Sequence, residues 1–223
     1  MAGVLLPRCV DPPTGLTAAR LVFHGDRKSK VIALTFDDGY DADTTQAILK
    51  ILVKAKVNAT FFPIGRAIER EPDTWKAIVA AGFPIGNHTQ HHATLKGRCY
   101  DAQLRELTLQ EATVQRILGI EPMPMMRPPG GAKDRLTRLA TTGAGETAVV
   151  MRDVDTKDWS GLSRRTITSR ALAGTNGSIV LMHTFVENTA AALPRIIAGY
   201  RARGYRFVTV GQLLGIPGPV PFS

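Results

Sequence analysis

The 223-residue chain has no apolar stretch approaching the roughly 18 residues that a membrane-spanning helix needs. It has no run of five or more Lys or Arg, and aromatic residues are only 6% of it. A nucleic-acid-binding tract of the usual kind is therefore excluded, although Lys+Arg 28 against Asp+Glu 19 leaves a net charge of +9. Cysteine is almost missing: there are two, Cys9 and Cys99. They can tie an N-terminal arm to the body, but two cysteines fix neither pairing nor compartment. No internal repeat and no interdomain linker breaks the chain. Met1–Pro7 is too short for an intact signal peptide and lacks a basic n-region. The expectation is that any targeting segment of a secreted form is absent from this chain.

What is present is an ordinary globular composition, 44% hydrophobic and 21% charged, long enough for one substantial core. A basic surface suits acidic partners (nucleic acid, an anionic membrane or an anionic polymer such as cell wall), and a merely solvated basic face is the plainer reading. Residues 1–30, with Pro7, Pro12 and Pro13, read as an irregular arm with a weak apolar patch at Leu21-Val22-Phe23. Residues 31–214 read as one domain, and 215–223 as a loose Pro/Gly-rich tail. Inside the domain, strand and helix signals alternate. Val31–Leu34, Ala59–Phe62, Phe83–Gly86, Met123–Met126, Thr147–Met151, Ser178–Met182 and Arg206–Val208 read as strands. Asp43-Thr44-Thr45-Gln46 resembles a capping box opening a helix, and Asp73 can cap another that Gly82 closes. Asp101–Leu118, Asp134–Ala140 and Thr189–Arg203 are the remaining helical patterns. Strands alternating with helices of this length imply a parallel sheet. About seven strands, short of the eight of a full barrel, predict an α/β fold built as an incomplete (β/α) barrel.

The chain is organised around Thr35-Phe36-Asp37-Asp38-Gly39-Tyr40. Taken alone, Asp-Asp-Gly is an ordinary turn signal. Here it follows a buried apolar run, and two adjacent carboxylates at the mouth of a strand cannot cheaply ionise together. A bound cation would resolve this, with one carboxylate as ligand and the other as base. His88-Thr89-Gln90-His91-His92 offers histidines at i and i+4, which on a helical turn would face one metal. Asp37 and Asp38, His88, Arg127, Asp155 and Asp158, and His183 all fall just past predicted strands. In barrel-like folds that rim is where active sites form. Two histidines and an aspartate are a familiar catalytic metal set with open positions for water and substrate.

Together these motifs resemble the polysaccharide deacetylases of the NodB-homology type, carbohydrate esterase family 4. The family's five short motifs occur in order from Thr35 to His183, and the likeness extends over about residues 31–214. The resemblance implies a fold of the NodB type and a metal-activated water attacking an acetyl carbonyl. It implies Asp37 as general base and Asp38, His88 and His92 as metal ligands. Zn²⁺ is the expected ion, with Co²⁺ or Ni²⁺ as alternatives. Arg127, in Arg-Pro-Pro-Gly, would orient the base, and the Gly130 N–H would steady the oxyanion. Asp158, in preference to Asp155, would support His183, the general acid that protonates the leaving amine. Trp159 would wall the groove and Leu181 would pack on the acetyl methyl; Tyr40 either touches substrate or closes the turn. The family often carries an aromatic where Gly130 stands, so one wall of the groove is expected to be open.

The implied substrate is an N-acetylated amino-sugar polymer, peptidoglycan or chitin-type, and the basic surface favours the anionic one. The implied location is extracellular or in the cell envelope, with the cytoplasm left open, and no nucleic-acid partner or membrane span is expected. Three other readings stand beside it. One is an O-deacetylase of acetylated xylan. Another is an amidohydrolase, which would need a His-x-His pair that the chain lacks. The last is a catalytically silent carbohydrate-binding relative, although every matched catalytic position is retained. Oligomeric state is not legible.

Overall fold

The computed structural model of the chain describes residues 9–222. Met1–Pro7, where the signal-peptide question arises, and Ser223 lie outside those residues. In chain order the elements are β1 (Arg20–Val22), β2 (Val31–Asp38), α1 (Ala42–Ala55), β3 (Ala59–Pro63), α2 (Gly65–Arg70), α3 (Pro72–Ala80) and α4 (Tyr100–Leu118). There follow β4 (Met125–Met126), α5 (Arg135–Gly143), β5 (Ala148–Val150), β6 (Val154–Asp155), α6 (Arg164–Ala171), β7 (Ser178–His183), α7 (Glu187–Ala202), β8 (Arg206–Phe207) and α8 (Val210–Leu214).

Every strand pairing is parallel, and the ladders run β1-β5-β4 and β3-β2-β7-β6. Single bridges from Ile85 to Phe61 and from Asn87 to Met126 join the two sheets into one curved wall. β8 pairs with Val31 and Ile32, on the edge of β2 that β3 occupies further along. Among the described residues no ladder joins β6 to β1, so the barrel stays open there. The segment after β1 touches the start of β7 through the His24–Ser178 bridge.

β2 is buried along its whole length, as a central parallel strand covered on both faces must be. Its alternation sorts the core. Ile32, Leu34 and Phe36 face outward to a cluster shared with Ile48 and Leu52 of α1 and Leu193 and Ile196 of α7. Val31 and Ala33 face inward, packing with Phe62, Met125, Val150 and Ile179. Continuing that inward row by period two brings Thr35 and Asp37 to the top of the barrel interior. A third cluster, with Leu107, Leu139 and Val149, seats α4 and α5 on β5.

Several expectations change. Arg20–Val22, inside the stretch read as an irregular arm, is a strand paired with β5. There are eight strands among the described residues rather than seven, because β1 and the two-residue β6 carry too little apolar signal to be recognised. Phe83–Gly86 makes isolated bridges instead of a strand. The tail is docked, not loose: Phe222 packs edge-on against Phe83, and its N–H donates to Asn58 Oδ1 at 2.9 Å. α1 is capped by Asp41, which accepts from the Thr44 N–H at 2.7 Å, and not by Asp43. In α3, Asp73 sits in the first turn and makes no cap. Cys9 and Cys99 are joined in a disulfide, with Cα atoms 5.3 Å apart.

Candidate active site

The site begins with a break in strand geometry. In a regular strand Asp37 would point inward and Asp38 outward. Asp38 has φ +81°, a conformation that costs a non-glycine residue about 1–3 kcal/mol. The kink brings both carboxylates to His88: Asp38 Oδ1 lies 3.3 Å and Asp37 Oδ2 3.9 Å from its Nε2. His88 and His92 belong to a loop, not to the expected helical turn, and positive φ values at Thr89 and His92 shape it. The loop still converges the rings, whose centroids are 5.1 Å apart. His92 Nε2 is also 3.3 Å from Asp38 Oδ1.

His88 Nδ1 donates to the Arg127 carbonyl at 2.7 Å, which leaves Nε2 to face Asp38. Asp38 Oδ1 is buried without a hydrogen-bond partner. Two acceptors meeting there need a proton or a cation between them. Burial pushes Asp38 up, but the close approach of His88 and the charges of His88, His92 and His183 together hold it below the usual carboxylate range. Burial pulls His88 down, and the two aspartates outweigh it, so its net shift is upward. The ligand atoms of Asp38, His88 and His92 lie within 4.8 Å of one another, and this two-imidazole, one-carboxylate set fits a divalent metal.

Asp37 is held from below. Arg127 follows β4, is fully buried, and donates from Nη1 to Asp37 Oδ1 at 2.7 Å and to Thr35 Oγ1 at 2.8 Å. Its Nε and Nη2 donate to the carbonyls of Val150 and Met151, and its guanidinium lies 4.5 Å over the Phe62 ring. Across the β2–β7 ladder Asp37 stands opposite His183. His183 Nδ1 donates to Asp158 Oδ1 at 2.6 Å. Asp158 is fully buried and also accepts from the His183 N–H and from Thr189 Oγ1. Burial pulls His183 down, but the bond to Asp158, its charge and those of Asp37 and Asp38 raise it above 6.5 overall.

Asp37, Asp38, His88, His92, Arg127 and His183 line one cavity of about 400 Å³, together with Tyr40, Gly130, Trp159 and Leu181. Leu181 is buried, whereas Trp159 is 58% exposed and can meet a ligand at the rim. Asp155 takes no part in supporting His183; it pairs with Arg152 at 2.9 Å. Gly130 has φ +61°, with nothing within 4 Å of where a Cβ would stand, so that wall is open as expected.

A family model described as polysaccharide deacetylase matches residues 24–149. The chain belongs to the polysaccharide deacetylase family. It is 34% identical over 190 residues to the peptidoglycan-N-acetylmuramic acid deacetylase PdaC of Bacillus subtilis, which covers 84% of this chain and 39% of PdaC. A peptidoglycan-N-acetylglucosamine deacetylase of Bacillus cereus is 34% identical over 196 residues, 86% of this chain and 70% of that relative. The crystal structure of the Bc1960 peptidoglycan N-acetylglucosamine deacetylase superposes with a TM-score of 0.83 at 32% identity, over 90% of this chain and 95% of that one. Both the fold and the family expectation are thus met.

Some pocket residues escaped the sequence reading. Phe185 packs against both Tyr40 and His183, with centroids 5.7 and 5.6 Å apart. Behind the pocket, Thr189 donates to Asp158, the partner of His183, and Thr35 accepts from Arg127, the partner of Asp37. Arg152 also lines the cavity. Phe185 lies two residues after His183 and Arg152 three before Asp155, and neither type carries a chemical signature of its own.

Proposed function

We propose that the chain hydrolyses N-acetyl groups of an amino-sugar polymer, with peptidoglycan as the polymer, releasing acetate and a free amine. The observation that carries this is the placement of Asp37 opposite His183 on adjacent strands, each fixed by a buried partner, beside the Asp38, His88 and His92 donors. A base and an acid flanking a metal-type donor set are what amide hydrolysis requires.

Asp38, His88 and His92 would hold a divalent ion, Zn²⁺ first and Co²⁺ or Ni²⁺ as alternatives. Such an ion supplies Lewis acidity, lowering the pKa of water and polarising an acetyl carbonyl. Asp37, locked by Arg127, takes the proton from the attacking water. The water oxygen bonds to the acetyl carbon, and the Gly130 N–H steadies the oxyanion that develops. Removing such a donor typically costs ~3 kcal/mol of transition-state stabilisation. His183, kept protonated by Asp158, gives its proton to the nitrogen as the C–N bond breaks. Leu181 packs on the acetyl methyl, and Tyr40 and Trp159 flank the sugar. The relatives named above act on peptidoglycan by name, the surface is basic, and a disulfide suits an oxidising compartment. These support action at the cell envelope.

The test is acetate release from peptidoglycan, chitin oligomers and acetylated xylan, with metal-stripped protein and with Zn²⁺, Co²⁺ or Ni²⁺ restored. Metal-dependent release from peptidoglycan, abolished by His88→Ala, is the expected result. Release from xylan alone would move the activity to O-deacetylation. No release from any polymer, with one equivalent of metal bound, would leave a binding protein.

A further inference from the structure

The cavity contains a second guanidinium that the hydrolysis does not use. Arg127 is spent on Asp37, Thr35 and two carbonyls. Arg152, on the same wall, is held differently. Its Nε and Nη2 both donate to Asp155 Oδ2, at 3.3 and 2.9 Å. Asp155 is itself fixed through Oδ1, which accepts the Lys157 N–H at 2.9 Å. Among the described residues Nη1 has no acceptor. A Cβ at Gly131 would run into Nη1, so that group lies on the bare Gly130–Gly131 turn. The side chain is 23% exposed, and its surface opens to the cavity that Asp37 and His183 line.

A guanidinium pinned by two nitrogens with the third left over is an oriented anion receptor. The open wall beside it, where Gly130 presents no side chain, leaves room for a substituent. On a 2-acetamido sugar the ring carbon next to the acetamido group bears O3, so an acid carried on that oxygen lies beside the acetyl group and within reach of the same cavity. We propose that Arg152 is a specificity-determining residue whose Nη1 receives a carboxylate borne by the N-acetylated sugar, so that the cavity favours acidic amino sugars over neutral ones. Asp155 is the positioning residue that aims it. The inference rests on the deacetylase reading for its substrate, but its binding can be measured without turnover.

The experiment uses peptide-free peptidoglycan strands and the same strands with their carboxyls converted to amides, which differ only in charge. Metal-loaded wild type, Arg152→Gln and Arg152→Lys are compared by kcat/KM for acetate release and by calorimetric Kd. Wild type should favour the acidic strands by about tenfold, the factor one charge-assisted hydrogen bond supplies. That ratio should fall toward one in Arg152→Gln, be partly kept in Arg152→Lys, and shrink in wild type as salt is raised. A wild-type ratio of one, a ratio that survives Arg152→Gln, or equal ratios in the Gln and Lys variants would overturn the proposal. If no acetate is released at all, the deacetylase reading fails, and the Kd ratio on the two strands still decides this one.

Discussion

Asp37 and His183 owe their use to what lies behind them. Arg127 is buried with its charge matched by Asp37; removing Arg127 leaves the carboxylate without its buried counter-charge, whereas Arg127 keeps Thr35 and two backbone carbonyls as acceptors when Asp37 is replaced. Breaking such a pair costs about 3–5 kcal/mol. Arg127→Leu is therefore expected to lower both the denaturation midpoint and kcat, whereas Asp37→Asn should lower kcat by about 10²–10⁴ at smaller structural cost. Urea titration beside acetate-release kinetics separates the two. At His183 the prediction concerns pH. Its raised pKa keeps the acid form present above 6.5, so activity is lost as pH climbs through that raised value. Asp158→Asn removes the largest raising influence and leaves burial to pull His183 down. The alkaline limb of the kcat/KM profile should move to lower pH. An unmoved limb would show that another group controls it.

At the scale of elements, the start of α1 separates two aspartates that look equivalent in sequence. Asp41 has extended φ and ψ and accepts the Thr44 N–H, while Asp43 lies within the first turn. Asp41→Ala should cost about 1 kcal/mol, and Asp43→Ala only a few tenths, by thermal unfolding. Where α4 packs near β5 the fold carries a cost. Glu146, just before β5, is 3% exposed, and neither carboxyl oxygen has a regular hydrogen bond. Burial, then the charge and proximity of Glu111 from α4, push its pKa well above the ordinary 4.5. Above pH 4.5 the folded state thus holds more protons here than the unfolded chain, so stability falls as pH rises from there and is unpenalised below. Glu146→Gln should raise stability at pH 7 by about 1–3 kcal/mol and by little at pH 4. A pH-independent effect would place the cost in packing instead.

At the scale of the whole molecule, the Cys9–Cys99 bond spans a sequence separation of 90 residues and ties the segment before β1 to the start of α4. A ring of that size restricts the unfolded chain, an effect typically worth about 2–4 kcal/mol. Cys99→Ser, or reduction of the wild type, should lower the urea midpoint accordingly. An unchanged midpoint would mean that the tether contributes nothing to folding.

The residue types and their order along the chain were legible before any fold was known. Asp-Asp-Gly after an apolar run, the His-x-x-x-His pair, Arg-Pro-Pro-Gly and the final histidine have chemistry that survives in one dimension. So do long buried strands such as β2 and β7, whose apolar runs announce themselves, and the helix stripe of α4. What needed three dimensions was everything set by partners distant in sequence. The short strands β1 and β6 exist because neighbours pair with them, not because of their own propensity. The histidine pair converges through a loop with positive φ values, which spacing alone misread as a helix. Asp158, already preferred to Asp155 on the family resemblance, meets His183 by a contact made across 25 residues, and Arg152 became visible only when Gly131 was seen beneath it. Local chemistry is written in the order of residues, but which groups meet depends on the register of parallel strands, and register is a property of the folded sheet.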